Sequence, residues 1–209
     1  ASIPPPPPPT VPAVTVVNDL NTKDLTINGD LQVRGTVKGS APKSTISGNL
    51  SYGNKFTGAG NLKVSGSSSK VATPTNIPMP SLDLAALHNQ ATTYGKVVTG
   101  TSTGDTFTFN SLGGNKVIWI KGDLINPTVT IGGTYAAGGT FVVDGKVSFT
   151  AGAQTVGADG YPVYFVSSSD FVQSGTSLTL FGGIYSLANL SFNSLTLTGP
   201  AVIASTITN

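Results

Sequence analysis

The phrase Ile27-Asn28-Gly29-Asp30-Leu31 decides the fold, because its apolar–polar–glycine–polar–apolar pattern comes back along the chain. It returns as Ile46-Ser47-Gly48-Asn49-Leu50, as Ile120-Lys121-Gly122-Asp123-Leu124 and as Val143-Asp144-Gly145-Lys146-Val147, with a truncated copy at Val64-Ser65-Gly66. The intervals between the glycines are 19 (29 to 48), 18 (48 to 66) and 23 (122 to 145). Trp119, Phe141, Tyr164 and Tyr185 follow one another at intervals of 22, 23 and 21. A loose period of roughly twenty residues with short strands is that of a parallel β-solenoid, one repeat per coil. Within a repeat, Leu25, Ile27, Leu31 and Val33 alternate with polar neighbours and mark the inward face. Glycine is expected at the bends, where it tolerates positive φ. An antiparallel sandwich would also show short strands. Here, however, Asn28-Gly29 and Asp144-Gly145 lie inside the repeated phrases instead of standing alone as hairpin turns.

Composition supports an all-β chain. Of 209 residues, 26 are Gly and 14 Pro, and only 10% are charged, against about 25% in an ordinary soluble domain. There is no Glu; the nine acids are all Asp, and the bases are ten Lys with Arg34. Good helix formers are therefore scarce, while Thr, Ser and Val abound. The 38% hydrophobic content is enough to form a core. Net charge is +2 with no basic run along the sequence, which does not point to nucleic acid. The absence of Cys removes disulfides, thiolate metal sites and cysteine nucleophiles. No apolar run reaches the roughly 18 residues of a membrane helix.

Two domains of behaviour are expected along the chain. Residues 1–13, with six consecutive prolines at Pro4 to Pro9, read as a stiff polyproline II stalk. Residues 14–209 read as a single solenoid domain with one inserted or capping helix near 81–94. Ser81 is its expected N-cap, Asp83 favours its positive end, and Gly95 stops it. Leu84, Leu87, His88 and Ala91 share one helical face. The strand Val117-Ile118-Trp119-Ile120 is apolar on both faces, and the helix is its natural cover.

Chemistry-bearing residues are few. His88 is the only histidine, which reads as a structural residue and leaves no acid–base triad or transition-metal set. No calcium loop is present, and no cofactor is expected. Asp30, Asp123 and Asp144 occupy related places in the repeats, and stacking could pair two of them for glycoside hydrolysis. Their position beside turn glycines instead reads as local backbone bonding, so no enzyme activity is expected. Tyr161, Tyr164, Tyr185, Trp119 and Phe141 are expected inside the coils or beneath the helix. The remaining candidates are threonines. Thr106 and Thr108, Thr128 and Thr130 form Thr-x-Thr phrases, and Thr106, Thr128 and Thr150 are spaced by 22 and 22. Stacked on a flat face, these would make contacts to ordered water or a regular polymer surface; equally, threonine stacks on itself for structural reasons alone.

From Pro78-Met79-Pro80 through Ile207, the order of pieces resembles the β-solenoid ectodomains of type IV pilus assembly-type minor pilins. The pieces are the short helix, Val117 to Leu124, Gly139 to Val147, Val163-Tyr164-Phe165-Val166, Phe181 to Ser186 and Leu197 to Ala204. The resemblance implies a non-enzymatic, extracellular, adhesive or structural domain at a pilus or cell surface, beginning at its proline-rich stalk. Its implied partners are other pilus or surface-filament subunits, with a surface ligand such as carbohydrate or DNA. Residues 24–66, around Leu25 to Gly39, are similar to bactofilins, which implies end-to-end self-association. A solenoid-face binding module for carbohydrate, ice or DNA is the other expectation.

Overall fold

The structure, a computed structural model, describes residues 14–76, 82–109, 116–132, 138–198, 201–203 and 207–208. The expected stalk at 1–13 and the expected cap Ser81 lie outside the described residues. The strands stack in parallel into a three-faced β-solenoid of about nine turns. On the first face ten strands run in hydrogen-bonded order from Ser68–Lys70 at one end to Lys96–Val98 at the other. The second face carries nine, from Phe56–Thr57 to Ser102–Thr103.

Coil order is not chain order. The strand Val14–Val16 pairs on one side with Leu31–Val33 and on the other with Ala201–Ile203. The chain therefore enters in the middle of the rod and winds outward to Ser68–Lys70. After the helix Leu84–Tyr94 it restarts at the opposite end with Lys96–Val98, then winds back to meet its own beginning.

The two halves differ in girth. Register partners Val14, Leu31, Leu50 and Ser68 follow at intervals of 17, 19 and 18, whereas Lys96, Ile118, Phe141 and Phe165 follow at 22, 23 and 24. Narrow coils are filled by Val14, Val16, Leu31, Val33, Ile46 and Leu50; wide ones need Phe107, Phe109, Phe141, Phe149, Phe165 and Phe171.

The bends corrected an expectation. Of the glycines in the repeated phrases, only Gly29 has positive φ, at 142°. The others are required by crowding between coils. The N–H of Asn49 donates to Asp30 Oδ1 at 2.8 Å, that of Ser67 to Asn49 Oδ1 at 2.9 Å, and that of Lys146 to Asp123 Oδ1 at 2.8 Å. Each acceptor lies directly over the glycine before the donor, so a methyl on Gly48, Gly66 or Gly145 would overlap it. Gly and Asx thus form one device: the side chain caps the next coil's corner, and the glycine there makes room for it.

The helix begins at Leu84, with Asp83 as its N-cap accepting from the Ala86 N–H at 2.9 Å. Gly95 ends it, its N–H donating to the Ala91 carbonyl. Leu87 and Ala91 are buried against Val117, Val142, Val166 and Tyr185, with Leu84, Trp119 and Tyr164 alongside. The helix covers the first face of the wide coils, as the doubly apolar strand requires.

Burial raises the ionisation of the Tyr164 and Tyr185 hydroxyls above the ordinary tyrosine range, and for Tyr185 a Tyr164 phenolate adds to it. The unfolded chain releases these protons near pH 10 while the folded one holds them, so their contribution is intact below that pH and lost above it. Thermal melts are expected to be flat to about pH 9 and to fall beyond about pH 10, and Tyr185→Phe should blunt the fall. The Tyr185 hydroxyl is also buried with no hydrogen-bond partner among the described residues. At neutral pH Tyr185→Phe should therefore hold or raise stability, by up to about 1 kcal/mol. A clear loss would show that the hydroxyl is satisfied after all.

Candidate functional site

The third face carries the candidate site. Thr106 pairs in register with Thr128, and Thr108 with Thr130, as two adjoining outward rows; Thr108 Oγ1 and Thr130 Oγ1 are 2.7 Å apart. Phe107 points inward between them and is buried. Four of the five threonines expected from sequence are brought together. Thr150 is not. It lies at the corner after Val147–Phe149, its N–H donating to Asn126 Oδ1 at 2.6 Å while its Oγ1 accepts from Asn126 Nδ2 at 2.7 Å. The equal spacing fails for Thr150 because coils differ in length, so a constant offset drifts from strand to corner.

A longer file lies further along this face, in strands that are not paired with Thr128–Ile131 among the described residues. Thr155 pairs with Thr179, Thr179 with Thr196, Thr196 with Thr26, and Thr26 with Thr45, before Lys63 ends the row. Thr26 and Thr45 bring their hydroxyls to 3.5 Å. Thr26, Thr45, Thr179 and Thr196 each sit between inward residues: Leu25 and Ile27, Ser44 and Ile46, Leu178 and Leu180, Leu195 and Leu197 are all buried, while Thr155 has buried Val156 on one side and half-buried Gln154 on the other. Alternation in a strand then forces the threonine outward. A second row beside it holds Thr198, Asn28 and Ser47; Asn28 Nδ2 donates to Thr198 Oγ1 at 2.9 Å. No charged residue occupies the outward strand positions between Thr155 and Thr45. The signal for this file was available as the recurrent apolar-Thr-apolar triplet, but its order was hidden because Thr196 and Thr26 are neighbours only through the mid-rod entry of the chain.

The other candidates have structural partners. Asp30 and Asp123 cap the next coils. Asp144 Oδ1 lies 3.1 Å from His88 Nε2, and Asp144 Oδ2 accepts from Trp119 Nε1 at 2.8 Å. The His88 ring stacks on Trp119 with centroids 4.1 Å apart, and Lys121 Nζ lies 4.4 Å from the indole centroid. This cluster pins the helix to the wide coils. The regular aromatic spacing proved to mix two faces: Phe141 pairs with Ile118 and points into the core, while Trp119, Tyr164 and Tyr185 lie outside it under the helix. Tyr161 is exposed. Among the described residues, no three His, Cys, Asp or Glu side chains are grouped to hold a metal ion.

No known family model matches the sequence, and no curated protein matches it. Two solved structures align with the chain. One is an ice-binding protein from an Antarctic biological consortium, with a TM-score of 0.49 and 16% identity over 93% of this chain and 84% of that one. The other is an ice-binding protein from the Antarctic ascomycete Antarctomyces psychrotrophicus, with a TM-score of 0.39 and 16% identity over 94% of this chain and 93% of that one. Neither is a type IV pilin or a bactofilin.

Proposed function

We propose that this chain is a non-enzymatic, extracellular binding module that engages ice through the threonine rows of its third face. The observation that carries the reading is the in-register file Thr155, Thr179, Thr196, Thr26 and Thr45. A single hydroxyl–water bond contributes almost nothing, since bulk water offers the same bond. A rigid array differs: its threonines are carried on strands about 4.8 Å apart along the rod, with a second row about 6.6 Å away across the strand. Only a ligand that is itself periodic in two directions can meet many of them at once, so small gains sum without a new ordering cost. Threonine suits this task because its hydroxyl both donates and accepts while its methyl packs. Charges, which would hold disordered hydration, are absent from the file. A face of an ice crystal is a two-dimensional array of donors and acceptors.

The test is partition into a slowly grown ice hemisphere. The fluorescently labelled protein should enter the ice, and Thr196→Lys with Thr26→Lys should exclude it at an unchanged melting temperature. Ser191→Lys on the second face should have no effect. Exclusion of the unaltered protein, or binding of it to crystalline cellulose in place of ice, would overturn the reading.

The minor-pilin reading supplies a place for such a module, on a surface filament and borne by the proline-rich segment. Among the described residues Ser68–Lys70 and Lys96–Val98 are paired on one side only, which gives self-assembly a specific handle. Both terminal strands carry lysine, and like charges at the two ends oppose head-to-tail stacking. Sedimentation velocity should accordingly show a monomer across a concentration series.

A further inference from the structure

We infer that the narrow tip of the rod is a second binding surface, for an acidic polysaccharide. Between Asp30 and Asp83 the sequence holds six bases, Arg34, Lys38, Lys43, Lys55, Lys63 and Lys70, and no acid. Along the chain they are dispersed, and no two of them are adjacent. The solenoid winds them into the last three coils, where all five lysines are exposed. Lys38 points outward on the second face in register with Asn21 and Thr57, Lys63 on the third beside Thr45, and Lys70 ends the outermost strand of the first. Stacked coils rise about 4.8 Å each, so these charges fall within about 10 Å along the axis and ring the tip on all three faces.

A second observation agrees. The corner cap that Asp30 provides to Asn49 is provided to Ser67 by Asn49, an amide that makes the same bond without the negative charge. The ladder is kept and the tip stays purely basic.

The chemistry between the lysines selects the kind of polyanion. Ser47, Asn54, Ser65, Ser68 and Ser69 are exposed among them, offering hydroxyl and amide groups to sugar hydroxyls. The tip's aromatics, Tyr52 and Phe56, pack against the core with centroids 5.9 Å apart and give no open face for a nucleobase to stack on. Five of the six bases are lysines, point charges without the planar fork that clamps phosphate. A chain of uronate sugars, with one carboxylate and several hydroxyls per unit, meets this surface better than a nucleic acid.

The test is direct binding of the unaltered protein to polygalacturonate, with neutral dextran and a short duplex DNA at equal charge concentration as the other arms. Polygalacturonate should bind, and weaken about tenfold between about 50 and 200 mM salt. The variant Lys38→Gln/Lys55→Gln/Lys63→Gln should lose about tenfold at the lower salt with its melting temperature unchanged. Lys116→Gln/Lys146→Gln, in the wide coils, should bind as the unaltered protein does. Equal or tighter binding to DNA, equal binding to dextran, or a triple variant that binds normally would each overturn the assignment. Ice partition tests the third face separately, so the two surfaces stand or fall independently.

Discussion

Gly145→Val is expected to cost about 2–4 kcal/mol of folding stability, although the glycine needs no special backbone angle. The reason lies one coil away. A side chain on Gly145 would overlap Asp123 Oδ1 and press on the carbon and carbonyl oxygen of Gly122 at 2.8 Å. Asp123 can swing aside only by giving up its bond to the Lys146 N–H, and the Gly122 backbone is fixed in its own turn. Overpacking and a lost charge-assisted bond therefore combine. The two are coupled, and the coupling is measurable. With Asp123→Ala already made, Gly145→Ala should cost less than it does alone, and the double-mutant cycle should show about 1 kcal/mol of interaction. Gly60→Ala is the internal control, because nothing lies within 4 Å of its added methyl. It should shift stability by less than about 0.5 kcal/mol in urea unfolding. Additive costs for Asp123 and Gly145 would mean that the Gly–Asx device is not a unit.

What the sequence revealed and what it hid divide along one physical line. Properties that repeat locally were readable: the coil period, the inward alternation of Leu25, Ile27, Leu31 and Val33, and the helix whose Leu87 and Ala91 had to cover Val117. Properties set by register between coils were not readable. A one-residue change in coil length moves a side chain to the opposite face, which is why Phe141 points into the core although its spacing from outward-facing Trp119 looks regular. Thr150 fell to the same error. The mid-rod entry adds a larger one, since Asn28 and Thr198 bond although they stand near opposite ends of the sequence. The long threonine file and the basic tip are both products of winding, and neither has a linear motif.

Phe165→Ala should have the largest effect on stability, about 3–5 kcal/mol, because it empties the centre of a ring network. Phe165 is fully buried, stacks on Phe141 at 5.2 Å, and meets Phe149 and Phe171 edge-on at 5.6 and 5.7 Å. Wide coils cannot close around the gap without shortening their strands, and each strand is held in register by ladders on both sides. The same variant tests how the two halves are joined. A solenoid is stabilised mainly through nearest-neighbour coils, and independent ends could melt separately. Here the strand Ala201–Ile203 lies between Ile184 of the wide half and Val14 of the narrow one, and the helix returns the chain along the wide coils. The narrow coils thus begin on a platform that the wide coils build last. Loss of the wide half removes that platform, so Phe165→Ala should lower a single unfolding transition, with amide protection at Leu31 and Leu50 falling together with that at Val142 and Val166. Undiminished protection of Leu31 and Leu50 in the variant would show that the narrow half folds as an independent unit. In that case the threonine file, which crosses from Thr196 to Thr26, would span a junction between two separately stable bodies rather than one rigid face.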